Sequence, residues 1–445
     1  MIDRFAALAA EEGSDCWFTR GVEDFITRDF SCPHCQGKSF SKGADILDVW
    51  FDSGVSSQAV LKKREELAYP ADLYLEGSDQ HRGWFQSSLI PAICIDSKAP
   101  FKSVLTHGHV VDAQGRKMSK SLGNVIAPQD IIKDSGADIV RLWVASSDYN
   151  EDIRISPEIL KRLTEAYRKV RNTARFILSN LYDFDPDQHR AKDKDLRRID
   201  RWILERLDTA AETVSNAYEN FEFYKAYKGI YDFCNEDLSM YYLDMVKGRL
   251  YTSAADSPDR RAAQSVIYDI LNCLVRLLAP ILVFTAEEIW QALPRSKNDK
   301  ATPSVHLAEW PKLKAQSAES DLNMAIEIIP DVAKALEEKR AAGLIGSSFD
   351  AKINLLTNNE IRYNYLFGLK DDLSEIFKVS QVDITKQAKP DAGLKRPQNY
   401  PEIAIEVIKA EGQKCVRCWN YSISVGSNSV HHLICAKCLA AIGGQ

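Results

Sequence analysis

Six of the ten cysteines fall in C-x-x-C pairs: Cys32/Cys35, Cys415/Cys418 and Cys435/Cys438. The last two pairs are separated by 16 residues, which is the spacing of a four-thiolate ribbon. Two such knuckles, each offering two sulfurs, close a tetrahedron around Zn²⁺ with no open position, so the metal implied is structural rather than catalytic. His431 and His432 lie between the knuckles, and one of them replacing a cysteine is the alternative donor set. Cys32/Cys35 is only half of such a site. Cys16, Cys94, Cys234 and Cys273 sit singly in apolar or helix-like stretches and read as small buried side chains.

Lys117–Ser121 spell KMSKS, between the strand-like VLTHGHVVDAQGR and LGNVIAP. A glycine-flanked loop presenting two ammonium groups and two hydroxyls can fold over a triphosphate and stabilise the charge that builds as pyrophosphate leaves. A solvated lysine turn is the plain alternative. Upstream, LEGSDQHRGWF (residues 75–85) follows a strand-like run and places an acid, a glycine and a second acid in a tight turn. Those groups suit an ammonium and a ribose diol brought close to the backbone.

These motifs need elements to hold them. A length of 445 residues suggests two to four domains. Residues 45–128 alternate apolar runs (ILDVWF, DLYLEG, VLTHGHVV) with a helix-like piece around Gly83–Ala99, the pattern of part of a parallel α/β sheet. Before them, residues 1–44 read as the end of a helix and a small hairpin carrying SCPHCQG. From Ser156 the apolar spacing becomes three and four, predicting a helical bundle that starts at Ser156-Pro157. Its first helix, Glu158–Arg175, carries Lys161, Arg162, Arg168, Lys169, Arg171 and Arg175 against Glu158 and Glu165, with Tyr167 and Phe176 turned inward. Such a stripe is either a solvated face or a phosphate-contacting one. Further helices are predicted at Leu196–Tyr218, Phe223–Tyr251, Pro258–Leu278 and Ile281–Leu293. PRSKNDKATP reads as a polar linker, SVHLAEW as a strand, Ala325–Ala342 as a helix, and AKINLL and IAIEVI as strands.

Composition sets broad limits. The hydrophobic fraction of 45% and charged fraction of 27% are those of a globular chain. A net charge of −6 argues against a small module coated in basic residues, but not against a positive face on a larger protein. No apolar run reaches the roughly 18 residues of a membrane span. MIDRFAALAAEEGSDCWF has no basic leader, so a cytoplasmic location is expected.

The strings DVWFDSG, LEGSDQHRGW, THGHVVDAQGRKMSKSLGNV and EAYRKVRNTARF, in that order, resemble bacterial isoleucyl-tRNA synthetases of class I, and the resemblance covers essentially the whole chain. It implies a multidomain α/β plus all-α architecture. Residues 1–44 would be the remnant of a zinc-hairpin insertion and 45–155 the second half of a Rossmann-type catalytic domain. A helical anticodon-binding domain at 156–315, a small α+β junction at 316–410 and a zinc ribbon at 411–445 would follow. Matched residue by residue, Glu76, Gly77, Asp79, Gln80 and His107 would bind the aminoacyl-adenylate, and Trp50 and Trp84 would wall the isoleucine side chain. Lys117 and Lys120 would act at the ATP phosphates, Lys120 foremost. Cys415, Cys418, Cys435 and Cys438 would hold one zinc in a ribbon that serves tRNA binding. The implied partners are tRNA(Ile), isoleucine and ATP with Mg²⁺ as substrate, and the implied state is a monomer. No HIGH-type motif occurs in the sequence. His107-Gly108-His109 precedes KMSKS, where the family carries a strand, and is not that motif. The reading is therefore of a C-terminal half, without the editing domain and inactive by itself. Its rivals are one half of a split enzyme working in trans and a standalone, non-catalytic tRNA-binding zinc protein.

Overall fold

The computed structural model describes residues 1–297, 302–312, 322–387 and 393–443. Within the chain two compact units separate, Met1–His107 and Gly108–Gln445.

In the first unit, α1 (Ile2–Glu12) leads into an aromatic cluster in which Phe5, Trp17 and Phe25 pack with ring centroids 5.0 to 5.9 Å apart. Cys16 is buried in this segment, as a packing residue should be. The expected hairpin at SCPHCQG forms no strand. Instead the Cys32 N–H donates to Gly37 O (2.9 Å) and the Gln36 N–H to Cys32 O (2.8 Å), closing a turn that uses its own backbone groups. ILDVWF is not a sheet strand either. The Asp48 side chain accepts from the Trp50 N–H (2.8 Å) and caps a helix, α2 (Val49–Gly54).

The β-α-β unit is as expected: β1 (Ala71–Gly77), α3 (Trp84–Asp96) and β2 (Phe101–His107). The strands are parallel, in register from Ala71 opposite Phe101 to Gly77 opposite His107. Gly54 shows why α2 and α3 can cross here: a Cβ on it would stand 2.1 Å from the Ser87 carbonyl oxygen. Cys94, expected to be buried, is exposed on α3.

The second unit opens with β3 (Val110–Val111), which pairs in parallel with β4 (Ile153–Arg154). Between them lie α4 (Pro128–Ser135) and α5 (Ala137–Ala145). The helical bundle follows. It comprises α6 (Pro157–Ser179), α7 (Arg198–Glu219), α8 (Phe223–Asp232), α9 (Lys247–Thr252), α10 (Pro258–Leu278) and α11 (Val283–Ala292). Ser156 Oγ accepts from the Ile159 N–H at 3.2 Å, so the cap read from Ser-Pro is made. The long helix expected over 223–251 is interrupted. Residues Phe233–Tyr242 widen into a π-helical stretch, where Ser239 Oγ donates to Cys234 O (2.7 Å), five residues back. Ile177, Ile203, Val214, Leu238, Ile267 and Leu271 belong to one continuous core.

SVHLAEW is not a strand. Ser304 caps the 3₁₀ turn Val305–Leu307, and among the described residues no strand pairs with it. PRSKNDKATP lies partly outside the described residues, as does the expected boundary near residue 315. The expected helix over 325–342 is two: α12 (Asn323–Glu327) and α13 (Ile329–Ala341), the second starting with Pro330 in its first turn. AKINLL and IAIEVI do form strands, β5 (Ala351–Thr357) and, further on, β7 (Ala404–Lys409). Between them come α14 (Glu360–Gly368), α15 (Lys370–Phe377) and β6 (Gln381–Lys386). The sheet order is β6-β5-β7, with β5 parallel to β6 and antiparallel to β7. The ribbon adds the antiparallel pair β8 (Gln413–Lys414) and β9 (Tyr421–Ser422), then α16 (Ala436–Ala441).

Candidate functional site

In the first unit, the adenylate candidates gather where β1 and β2 end. Ligands of open parallel sheets bind at the carboxyl ends of the strands. Glu76 and Gly77 close β1, and His107 closes β2 directly opposite Gly77. A turn of 3₁₀ helix over Ser78–Arg82 carries Asp79 and Gln80. Gln80 Oε1 accepts from the Trp84 N–H (2.9 Å) and so caps α3, while its Nε2 donates to Asp79 Oδ2 (3.2 Å). Gly77 and the Asp79 carboxylate stand close, since a Cβ on Gly77 would lie 2.6 Å from Asp79 Oδ1. Trp84 stacks on Tyr74 with centroids 4.5 Å apart, and its indole N–H donates to Ser53 O of α2 (3.2 Å). Trp50, on the same α2, is 49% exposed. A cleft of about 340 Å³ adjoins these residues, lined by Ser57, Val60, Leu73, Leu75, Glu76 and Trp84.

In the second unit, KMSKS is held by its framework while its cations are left outside. Asp112 accepts from the Arg116 and Gln114 backbone N–H groups, the Arg116 guanidinium and Asn124 Nδ2. Asn124, then the Arg116 amide, hold its carboxyl down at about 2. Asn124 Oδ1 also receives the Ser119 N–H (2.9 Å), and Ser119 Oγ caps the turn Lys120–Leu122 by accepting from the Leu122 N–H (3.2 Å). Met118 packs inward against Ile131, Ile139, Trp143 and Ile155. Lys117 and Lys120 are both exposed, and neither has a carboxylate partner among the described residues.

The terminal cysteines converge. The sulfurs of Cys415, Cys418, Cys435 and Cys438 all lie within 4.8 Å of one another, and Cys418 Sγ stands 3.7 Å from Cys435 Sγ. A tetrahedron with Zn–S bonds of ~2.3 Å has edges of ~3.8 Å, so the cage fits zinc. Burial raises the Cys415 thiol, but the N–H groups of Cys418, Cys435 and Arg417 outweigh it and bring it to about 6, whereas burial pushes the Cys418 and Cys438 thiols up. His431 and His432 are exposed and outside the cluster. Cys32 and Cys35, by contrast, have no third metal-ligating group with them among the described residues.

On α6, Lys161, Arg162, Arg168 and Arg175 are exposed. Two of the six expected bases are engaged within the protein. Lys169 donates to Tyr231 OH (3.2 Å) and Asn235 Oδ1 (3.1 Å), and Arg171 pairs with Glu288 (2.7 Å). Tyr167 and Phe176 do pack inward.

Sequence reasoning missed the bundle's buried ion pair. Arg249 and Asp200 are 1% and 0% exposed and meet through two hydrogen bonds of 2.9 and 2.8 Å, with Tyr242 OH donating to the same carboxylate (2.7 Å).

Three family models match the chain. They are tRNA synthetases class I (I, L, M and V) over residues 2–156, the anticodon-binding domain of tRNA ligase over 200–355, and the zinc finger found in FPG and IleRS over 412–441. The isoleucine–tRNA ligase of Syntrophotalea carbinolica is 47% identical over 99% of this chain and 47% of its own length. That of Caldicellulosiruptor saccharolyticus is 46% identical over 99% of this chain and 47% of its own length. The chain belongs to the class I isoleucyl-tRNA synthetase family. It spans about half the length of the curated relatives it matches. Among solved structures, the ternary complex of Agrobacterium radiobacter K84 LeuRS with tRNA and LeuAMS aligns with a TM-score of 0.49 and 21% identity, over 74% of this chain and 38% of that one. As a member of this family the chain combines a segment of the class I catalytic fold, an anticodon-binding domain and a Cys₄ cluster suited to one structural Zn²⁺. No helix among the described residues is long and apolar enough to cross a membrane.

Proposed function

We propose that this chain supplies the phosphate-handling loop, the tRNA-binding bundle and the zinc ribbon of an isoleucine–tRNA ligase. The observation that carries the reading is identity of 45–47% to isoleucine–tRNA ligases over nearly all of these 445 residues. In the reaction, the isoleucine carboxylate attacks the α-phosphorus of ATP, the bond to pyrophosphate breaks, and the acyl group then passes to tRNA(Ile). Lys120, assisted by Lys117, meets the charge that develops on the leaving pyrophosphate, and Mg²⁺ enters with ATP. Glu76, Gly77, Asp79, Gln80 and His107 hold the adenylate, and Trp50 and Trp84 flank the isoleucine side chain. The gathering of the adenylate residues at two parallel strand ends supports these roles. The exposed bases of α6 and the ribbon engage tRNA phosphates. The five segments bounded near residues 44, 155, 315 and 410 are proposed as the working divisions.

The place of action is the cytoplasm, as a monomer, in one chain with an N-terminal half or with that half in trans. Isoleucine-dependent ATP–pyrophosphate exchange tests the reading. The 445 residues alone should show none, because no HIGH-type motif is among them, and adding the N-terminal half of a relative should restore it. Exchange stimulated by another amino acid would displace the isoleucine assignment. No exchange in any combination, with tRNA still bound, would favour a non-catalytic tRNA-binding protein.

A further inference from the structure

Helix α11 begins without a cap of its own, because its N-cap residue is Leu282 and no side chain of the flanking turn accepts from its first amides. The cap comes from α5, far away in sequence. Asp138 Oδ2 accepts from the Thr285 N–H (2.8 Å) and Thr285 Oγ1 (2.6 Å), and Oδ1 from the Phe284 N–H (3.3 Å). One turn along α5, Arg141 donates to the carbonyls that follow α10, through Nε to Ile281 O (2.9 Å) and Nη2 to Pro280 O (2.6 Å). A carboxylate thus meets the positive start of one helix and a guanidinium the carbonyl-rich end of the other. Asp138 is 7% exposed.

The same helix is the floor of the KMSKS loop. Ile139 and Trp143 form, with Ile131 and Ile155, the cluster on which Met118 sits, while Leu142 and Ala145 belong to the bundle core. Tyr167 of α6 packs against both clusters, and its hydroxyl lies 3.0 Å from Thr285 Oγ1. Met118, partly buried between the exposed Lys117 and Lys120, packs on that cluster and so ties the middle of the loop to α5.

We propose that Asp138 and Arg141 are positioning residues that lock the segment carrying Lys117 and Lys120 onto the turn between α10 and α11. Through that turn, tRNA seated on the bundle sets the pose of the phosphate loop. The coupling to tRNA rests on the tRNA-binding reading above; the hold of Asp138 and Arg141 on the loop does not. The contacts form a continuous physical path: turn, Asp138 and Arg141, Ile139 and Trp143, Met118, lysines. Coupling of this kind needs a demonstrated response at both ends.

Amide hydrogen exchange on the full 445-residue chain, loaded with zinc, supplies it. In Asp138→Ala the amides of residues 116–124 should exchange about tenfold faster or more, as expected when a local opening loses a multiply bonded cap. Those inside α7 should stay as slow as in the wild type. Arg141→Ala, an exposed position that folds even if the aspartate variant does not, should show the same pattern more weakly. Addition of tRNA(Ile) should slow exchange in the wild-type loop, and that response should be lost in both variants while their tRNA affinity stays within about threefold, since neither residue is placed on the phosphate-contacting face. Loop exchange and its tRNA response unchanged in Arg141→Ala, or in a folded Asp138→Ala, would overturn the proposal. If the wild-type chain binds no tRNA, the tRNA reading fails, and the tRNA-free comparison still decides whether α5 holds the loop.

Discussion

The cysteine ribbon and the KMSKS loop are short motifs in one compact unit, and they dispose their reactive groups in opposite ways. In the ribbon the four sulfurs point inward and lie within 4.8 Å of one another, three of them on buried residues. In the loop the framework points inward, through Met118, Ser119, Asn124 and Asp112, and the two ammonium groups point out. A metal centre of this kind contains all its chemistry. A loop that handles phosphate, as proposed for KMSKS, contains one side of a chemistry whose other side is the substrate. The first should be sensitive to any of its four residues and the second chiefly to what aims its lysines.

The largest expected effect is on the metal. Cys415→Ser or Cys438→Ser should take bound zinc from one per chain to none and raise amide exchange throughout residues 412–443, because small ribbons fold on their metal. Elemental analysis finding stoichiometric zinc in the quadruple Cys415/Cys418/Cys435/Cys438 variant would mean that the metal sits elsewhere.

Next in size is the loop's chemistry. In an enzyme restored with an N-terminal half, Lys120→Ala should slow isoleucine activation by about 10²–10³-fold with little change in isoleucine affinity, since the charge it meets exists mainly in the transition state. Pre-steady-state formation of adenylate separates the two. Weakened tRNA binding at an unchanged activation rate would reduce KMSKS to a basic patch.

Asn124→Ala probes the framework rather than the cations. It removes the acceptor of the Ser119 N–H and a donor to Asp112, each worth about 1 kcal/mol. The same assay should therefore fall by up to about thirtyfold, less than for Lys120→Ala. An equal or larger loss would place the asparagine among the substrate-contacting groups.

The smallest effect is on pH. Because Asp112 in the folded loop titrates at about 2 against an ordinary 3.8, its contribution is complete above pH ~4 and declines as pH falls toward 2. Side-chain carboxyl NMR of Asp112 should show that depressed midpoint. A midpoint near 3.8 would mean that Asn124 and Arg116 do not hold the carboxylate in solution.

What the sequence makes legible follows the same division. The ribbon is readable because all four ligands lie within 24 consecutive residues at a spacing only a knuckle pair requires. The start of α6 is readable because cap and proline are adjacent. SVHLAEW misleads because its apolar residues suit a strand, yet a strand needs a neighbour, and Ser304 finds a local turn instead. β6 escapes notice because QVDITK alternates weakly and buries little beyond Val382. Contacts made across long separations could not be read at all: Asp138 and Thr285 are 147 residues apart, and Asp200 and Arg249 are 49 apart. Lys169 and Arg171 looked like part of the basic stripe because helical periodicity locates a face without naming what already occupies it.

Under the proposed reading these residues form a tRNA-binding body whose positive face is local in an acidic chain. Filter binding of tRNA(Ile) to the zinc-loaded 445-residue chain, titrated with salt, tests it most directly. Saturable binding is expected, weakening steeply with salt by close to one power of salt concentration for each phosphate contacted. Substituting Lys161, Arg162, Arg168 and Arg175 together by alanine should reduce both affinity and that slope. Absence of binding at low salt, or binding indifferent to those four residues and to salt, would contradict it.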